Sequence, residues 1–168
     1  MQDILEKILL PLRDRSAEYL NKDLEIPAKA QEIKKEKFIK PCSIKNASLL
    51  ATSGSIEIYA SIGFDDKLFD ELVNIFLQGD VLEGDELIEI RESISCEIVN
   101  IIVGNAIINP MNDSKISITP PLYIDDMSLF FKDKSTTIMT TIIQTEYGNM
   151  YIAIVYPVNN NIERKENA

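Results

Sequence analysis

The chain has 168 residues, 45% of them hydrophobic, with 27 acids against 17 bases and a formal net charge of −10. That length can bury about two-thirds of the unfolded surface in one domain, while the acidic balance excludes the dense positive charge that nucleic acid or anionic lipid demands. Histidine is absent, so the usual general base, metal ligand and triad member are missing, and chemistry falls to carboxylates, amides, hydroxyls, backbone or a partner.

No run of about 18 apolar residues is present, so no membrane span is expected. The N-terminus mixes charge into helical periodicity, without the basic head and small-residue cleavage site of a signal peptide. Cys42 and Cys96 have no framework spacing, and a reducing cytoplasm is the expected compartment.

In chain order, residues 2–21 read as an amphipathic helix through Ile4, Leu5, Ile8, Leu12, Tyr19 and Leu20, kinked or restarted at Pro11 and ending near Asn21. From Pro27 to Pro41 five lysines (Lys29, Lys34, Lys35, Lys37, Lys40) mark an extended connection or short edge strand with a solvated face. Strands are predicted at Ile44–Ala51 and Ser55–Ile62, joined by a turn at Ser53-Gly54. Asp65 or Asp66 caps a helix that buries Leu68, Phe69, Leu72, Val73 and Phe76. Asp85-Glu86 open a long helix that runs to about Ile108, ahead of Asn109-Pro110. Its predicted core stripe is Leu87, Ile90, Ile94, Ile98, Ile101 and Ile108, with Val99, Ile102, Val103 and Ala106 making an apolar far side.

The remainder is β: Ile116–Ile118, Leu122–Ile124, Ser128–Phe131, then Thr136–Tyr147 and Met150–Tyr156 joined at Gly148-Asn149. The tail after Val158 is expected to be disordered. This element order gives an α+β class, helices packed on a largely antiparallel sheet.

On the long helix, Ser93, Glu97, Asn100 and Gly104 share one narrow strip. A carboxylate among apolar neighbours is costly unless it is solvated, paired or used. Glu-x-x-Asn occurs three times on the predicted helices alone (Glu18/Asn21, Glu71/Asn74, Glu97/Asn100), so the bare spacing carries little information. The third copy alone has small residues a turn away on each side and apolar walls beside it. Other candidates have plainer readings. Cys96 is a core cysteine. Asp65-Asp66 and Asp125-Asp126 are turns or caps without enough oxygen ligands for a metal. The acids Asp80, Glu83, Asp85, Glu86, Glu89 and Glu92 are a solvated run bordering the strip.

Ser93-x-x-x-Glu97-x-x-Asn100, then Gly104-Asn105-Ala106, then Ile118-Thr119-Pro120-Pro121, resembles the CheC/CheX/FliY family of chemotaxis phosphatases. The likeness extends more loosely from the N-terminal helix to the last strand, and a single site in so short a chain is CheX-like. The resemblance implies a CheC/CheX-like fold of long helices on a largely antiparallel β-sheet, with one domain over residues 1–158 and a tail at 159–168. It further implies hydrolysis of the phosphoaspartate of a CheY-like response regulator. Asn100 would orient the attacking water and Glu97 would pair with the partner's lysine. Ser93 and Gly104 would keep the helix surface low for docking, Ser93 alternatively donating a hydrogen bond. No cofactor is implied in this chain, since the phosphorylated regulator brings the Mg²⁺ and the acyl phosphate. A homodimer is implied too, with the two-faced apolar strand Met150–Tyr156 as a contributor, and neither nucleic acid nor membrane as partner. The alternative is a non-catalytic regulator-binding or flagellar-switch module of the same fold.

Overall fold

A computed structural model describes residues 2–36, 44–54, 57–108, 116–126 and 137–156. The first helix, α1 (Gln2–Glu18), is continuous through Pro11. Its buried positions Ile8, Leu9, Leu12 and Ser16, continued by Tyr19 and Leu20 just beyond it, keep the helical period on both sides of the proline, so packing overrides the missing amide. The chain then widens into a π-turn, Tyr19–Asp23. Asn21 secures that exit: its Nδ2 donates to the carbonyls of Ala17 (2.8 Å) and Ala28 (2.9 Å), and its Oδ1 accepts from the Ala28 amide (2.9 Å).

The lysine-rich connection resolves into two short strands, β1 (Ala28–Ala30) and β2 (Lys34–Glu36). The central strands follow, β3 (Lys45–Gly54) and β4 (Tyr59–Phe64). Two helices come next, α2 (Asp66–Leu77) and α3 (Gly84–Val103), and α3 passes into a second π-turn at Gly104–Ile108. Strands β5 (Ile116–Ile118), β6 (Leu122–Asp126), β7 (Thr137–Thr145) and β8 (Gly148–Tyr156) complete the described chain. All eight strands form one antiparallel sheet in the order β1-β7-β8-β4-β3-β5; β2 also lies on β7, and β6 also lies on β3.

The register sets which side chains meet the helices. Ala60, Ile62 and Phe64 stand opposite Ile154, Ile152 and Met150, and together with Leu50, Met139 and Ile143 they form the main core under α1, α2 and α3. The Phe64 and Phe69 rings stack at 5.5 Å, joining β4 to α2. The other face carries a smaller cluster of Ile44, Ala47, Ile138, Ala153 and Val155. Gly63 sits between the two layers of side chains, where a Cβ would run into Ile44 Cγ2 and the Lys45 carbonyl.

Several expectations change in detail. Residues 60–64 of β4 are buried on both faces, not alternately, because the strand lies inside the sheet and both faces are covered. The β7–β8 turn is Glu146-Tyr147, and Gly148 is the first residue of β8, at φ 129. Asp65 stands at the N-cap of α2 but does not cap it. Its carboxylate instead accepts from the Asn149 amide (2.8 Å), Asn149 Nδ2 (2.9 Å) and Tyr151 Oη (3.0 Å), which pins the hairpin to the start of the helix. Asp125 and Asp126 belong to β6 rather than to a turn. Strand β8 is paired along both edges, to β7 and to β4, so Met150–Tyr156 has no free edge to offer a second copy. The predicted Ser128–Phe131 strand, Cys42 and the tail at 159–168 lie outside the described residues.

Candidate active site

Helix α3 lies against β3, β6 and α1, and its burial shows which side faces them. Ile94, Ser95, Ile98, Val99, Ile102 and Val103 are buried, while Leu87, Ile90 and Ile101 are half-buried. Ile94 and Ile98 of the predicted stripe are thus in the core, but they share it with Val99, Ile102 and Val103 of the side predicted to be the far one, while Leu87, Ile90 and Ile101 lie at the margin. A serine made this hard to see. Ser95 is fully buried, with Oγ 2.7 Å from Ser48 Oγ and 3.4 Å from the Asn46 carbonyl, so the polar group has partners inside the core.

The polar strip lies on the opposite side. Ser93, Glu97 and Asn100 are exposed and Gly104 is half-buried. Since α3 is regular α-helix up to Val103, positions 93, 97, 100 and 104 follow one another at spacings of four, three and four residues along one ridge. Among the described residues, neither the Glu97 carboxylate nor the Asn100 carboxamide has a hydrogen bond or ion pair. On the α1 side of the ridge the nearest landmark is Tyr19, which is 5% exposed. Burial first, then the charges of Asp23 and Glu97, raise its hydroxyl pKa above the ordinary tyrosine value.

Gly104 has a backbone open to any residue, φ −57 and ψ −46, and a Cβ built there would meet nothing within 4 Å. A helical glycine is roughly 0.5–1 kcal/mol worse than alanine. Neither packing among the described residues nor a left-handed backbone requires a glycine here. The helix changes to π geometry at this residue, a feature frequent at functional sites.

On the β6 side the ridge falls away into a groove. An open cavity of about 530 Å³ is lined by Asn46, Ile88, Arg91, Glu92, Tyr123 and Asp125. An adjoining one of about 500 Å³ is lined by Glu89, Glu92, Ser93, Cys96, Pro121 and Tyr123, among others. Glu92 and Tyr123 line both, so the two run together. Cys96 is half-buried, its Sγ 3.5 Å from Ser48 Oγ and 3.8 Å from the Pro121 carbonyl. Burial first and the Asp125 charge next raise the Tyr123 pKa. Pro120-Pro121 stands out in the sequence, whereas the one local signal for Tyr123 is its place two residues after the double proline. No group of three or more metal-ligating side chains is found among the described residues, nor a helix long and apolar enough to cross a membrane.

Residues 47–143, more than half of the chain, match the sequence model of the family described as Chemotaxis phosphatase CheX. The chain belongs to that family. Comparison with curated protein sequences gives no match. Among solved structures, the chemotaxis protein CheX from Vibrio vulnificus is 19% identical, with a TM-score of 0.69 over 86% of this chain and 95% of that one. The CheX of a CheX–CheY–BeF3–Mg²⁺ complex from Borrelia burgdorferi is 18% identical, with a TM-score of 0.68 over 88% and 96%. FliY from Thermotoga maritima is 16% identical, with a TM-score of 0.57 over 93% and 89%. At these identities the likeness is one of fold.

Proposed function

We propose that this chain hydrolyses the phosphoaspartate of a CheY-like response regulator, with Asn100 and Glu97 as the residues that act on it. The observation that carries the reading is the ridge itself. Among the described residues it bears an unpaired carboxylate and an unpaired carboxamide, both exposed, beside a glycine that neither packing nor backbone conformation requires.

The chemistry asked of the chain is small. Water attacks phosphorus in line with the aspartyl oxygen, the P–O bond to the acyl group breaks, and inorganic phosphate and a free carboxylate leave. Asn100 Oδ1 accepts a hydrogen bond from the attacking water and Nδ2 can donate to a phosphoryl oxygen, while a carboxamide takes up no proton near neutral pH. Fixing one water in this way accounts for ~10²-fold in rate. Glu97 pairs with the lysine of the regulator's pocket in a charge-assisted contact that sets register and displaces bulk water. Ser93 and the bare backbone at Gly104 let the regulator approach the ridge closely. The regulator would supply the Mg²⁺ that neutralises the phosphoryl charge; the complex of the Borrelia burgdorferi relative, which contains CheY, BeF3 and Mg²⁺, supports a CheY-like partner.

The deciding experiment follows the lifetime of phosphorylated regulator in the presence of parent, Glu97→Ala and Asn100→Ala proteins, with binding measured in parallel. Loss of hydrolysis with retained binding in Asn100→Ala supports the mechanism. Parent protein that binds and leaves the phosphate lifetime unchanged makes the chain a non-catalytic binding module instead.

A further inference from the structure

The groove between the first half of α3 and β6 is not used by the water-positioning chemistry, yet Ser93 belongs both to it and to the ridge. Its uncompensated charge is acidic. Arg91 lines it as well, but that guanidinium is already engaged: its Nη1 bonds Asp70 at 2.8 Å and it lies 4.7 Å over the Phe69 ring. Among the described residues Glu89 and Glu92, both exposed, have no cationic partner, and Asp125 has the Tyr123 hydroxyl alone, at 3.5 Å. Beside these acids stand two large aliphatic side chains in water, Ile88 at 55% and Leu122 at 61% exposure.

Apolar side chains on the rim, unpaired acids on the walls and a tyrosine in the floor make a protein-docking surface rather than an enclosed small-molecule pocket. We infer that this groove seats the regulator itself, taking the basic and partly apolar surface beside its phosphorylated pocket. Glu89 and Glu92 are the specificity-determining contacts, and Ile88, Leu122 and Tyr123 the apolar ones. The inference rests on the phosphatase reading above and adds to it the determinant of which regulator is accepted. Charge complementarity names the occupant: a lysine or arginine flanked by an aliphatic or aromatic side chain. Continuity with the ridge places that surface next to the reacting phosphate. Regulators with acidic residues there are rejected, since like charges brought together at a dry contact are strongly unfavourable.

The test uses the CheY-like response regulators of the source organism, loaded with beryllofluoride and Mg²⁺ for binding or phosphorylated for hydrolysis. Four proteins are compared: the parent, Glu89→Lys/Glu92→Lys, the control reversal Glu57→Lys/Glu146→Lys at exposed acids outside the groove, and Asn100→Ala. The groove reversal is expected to weaken binding by ~10-fold or more, to flatten its salt dependence and to place the loss of hydrolysis in KM. The control reversal is expected to stay within ~2-fold of the parent, as charges beyond a Debye length are screened. Equal weakening by both reversals, or parent-like binding by the groove reversal, overturns the inference while leaving catalysis by the ridge intact. Parent-like hydrolysis by Asn100→Ala, or no regulator bound by the parent, instead overturns the phosphatase reading on which it rests.

Discussion

Two Glu-x-x-Asn pairs in this chain have the same spacing and opposite circumstances. At the end of α1, Glu18 bonds Lys22 at 2.8 Å and lies 3.4 Å from Arg15, while Asn21 commits its carboxamide to Ala17 and Ala28. On α3, Glu97 and Asn100 form no such bonds among the described residues. The first pair is spent on holding a turn to a strand. The second stands ready, and a polar side chain kept unpaired on a rigid helix is what recognition of another molecule requires. Spacing alone therefore says little; what distinguishes the pairs is whether the fold itself uses their hydrogen-bonding capacity.

Substitutions sharpen this contrast in descending order of effect. Asn100→Ala should slow release of phosphate from the phosphorylated regulator by ~100-fold with the unfolding midpoint unmoved, the loss of one oriented water. Parent-like turnover would place the two pairs in the same class. Asn21→Ala should do the reverse. It removes three hydrogen bonds at the α1 exit and should lower unfolding free energy by roughly 1–2 kcal/mol in urea titration, with the rate per folded molecule preserved. Gly104→Ala should raise stability by about 0.5–1 kcal/mol while hydrolysis falls, because the new methyl meets only the incoming partner. A destabilised Gly104→Ala protein would mean that the glycine serves the fold after all.

The smallest effect is electrostatic. The hydrogen bond and charge of Lys22, with Arg15 in support, hold the Glu18 carboxyl below its ordinary value of 4.5 and raise the Lys22 ammonium in turn. A depressed folded-state pKa contributes stability that is complete above the unfolded value and disappears as pH falls through the folded one. An NMR titration of Glu18 should therefore show a midpoint below 4.5 that returns upward in Lys22→Gln. Full exposure keeps the contribution to stability small and sensitive to salt.

Periodicity made much of the fold legible. The amphipathic period of α1, though not the break expected at Pro11, the apolar side of α2 and the two strong C-terminal strands stand where alternation and helical period put them. The orientation of α3 was less accessible, because it is apolar nearly all round and hydrophobicity cannot rank its sides. What settles its rotation is the pairing of Ser95 with Ser48, a contact across 47 residues that no local window contains. The same holds for Asp65, whose place before a helix suggests a cap until Asn149 and Tyr151 claim its carboxylate. At the site, Glu97 and Asn100 could be singled out as polar residues without a local reason. The groove could not, because Tyr123 and Asp125 reach it only through the crossing of β6 over α3.

The bend between β5 and β6 has a bearing on how that groove can vary. Both strands lie along β3, one beyond the other, and Thr119 closes the gap, its amide bonding the Ala51 carbonyl at 2.9 Å while its Oγ1 accepts from the Ala51 amide at 3.0 Å. Pro120 and Pro121 have no amide hydrogen to offer there. One residue gained or lost between Ile118 and Leu122 would have to shift β5 or β6 by a position, and in β6 that rotates Tyr123 and Asp125 outward and turns Ile124 toward α3. The wall proposed to meet the regulator is thus keyed to strand parity: point changes can retune it, whereas a single-residue insertion would take its tyrosine and aspartate away together.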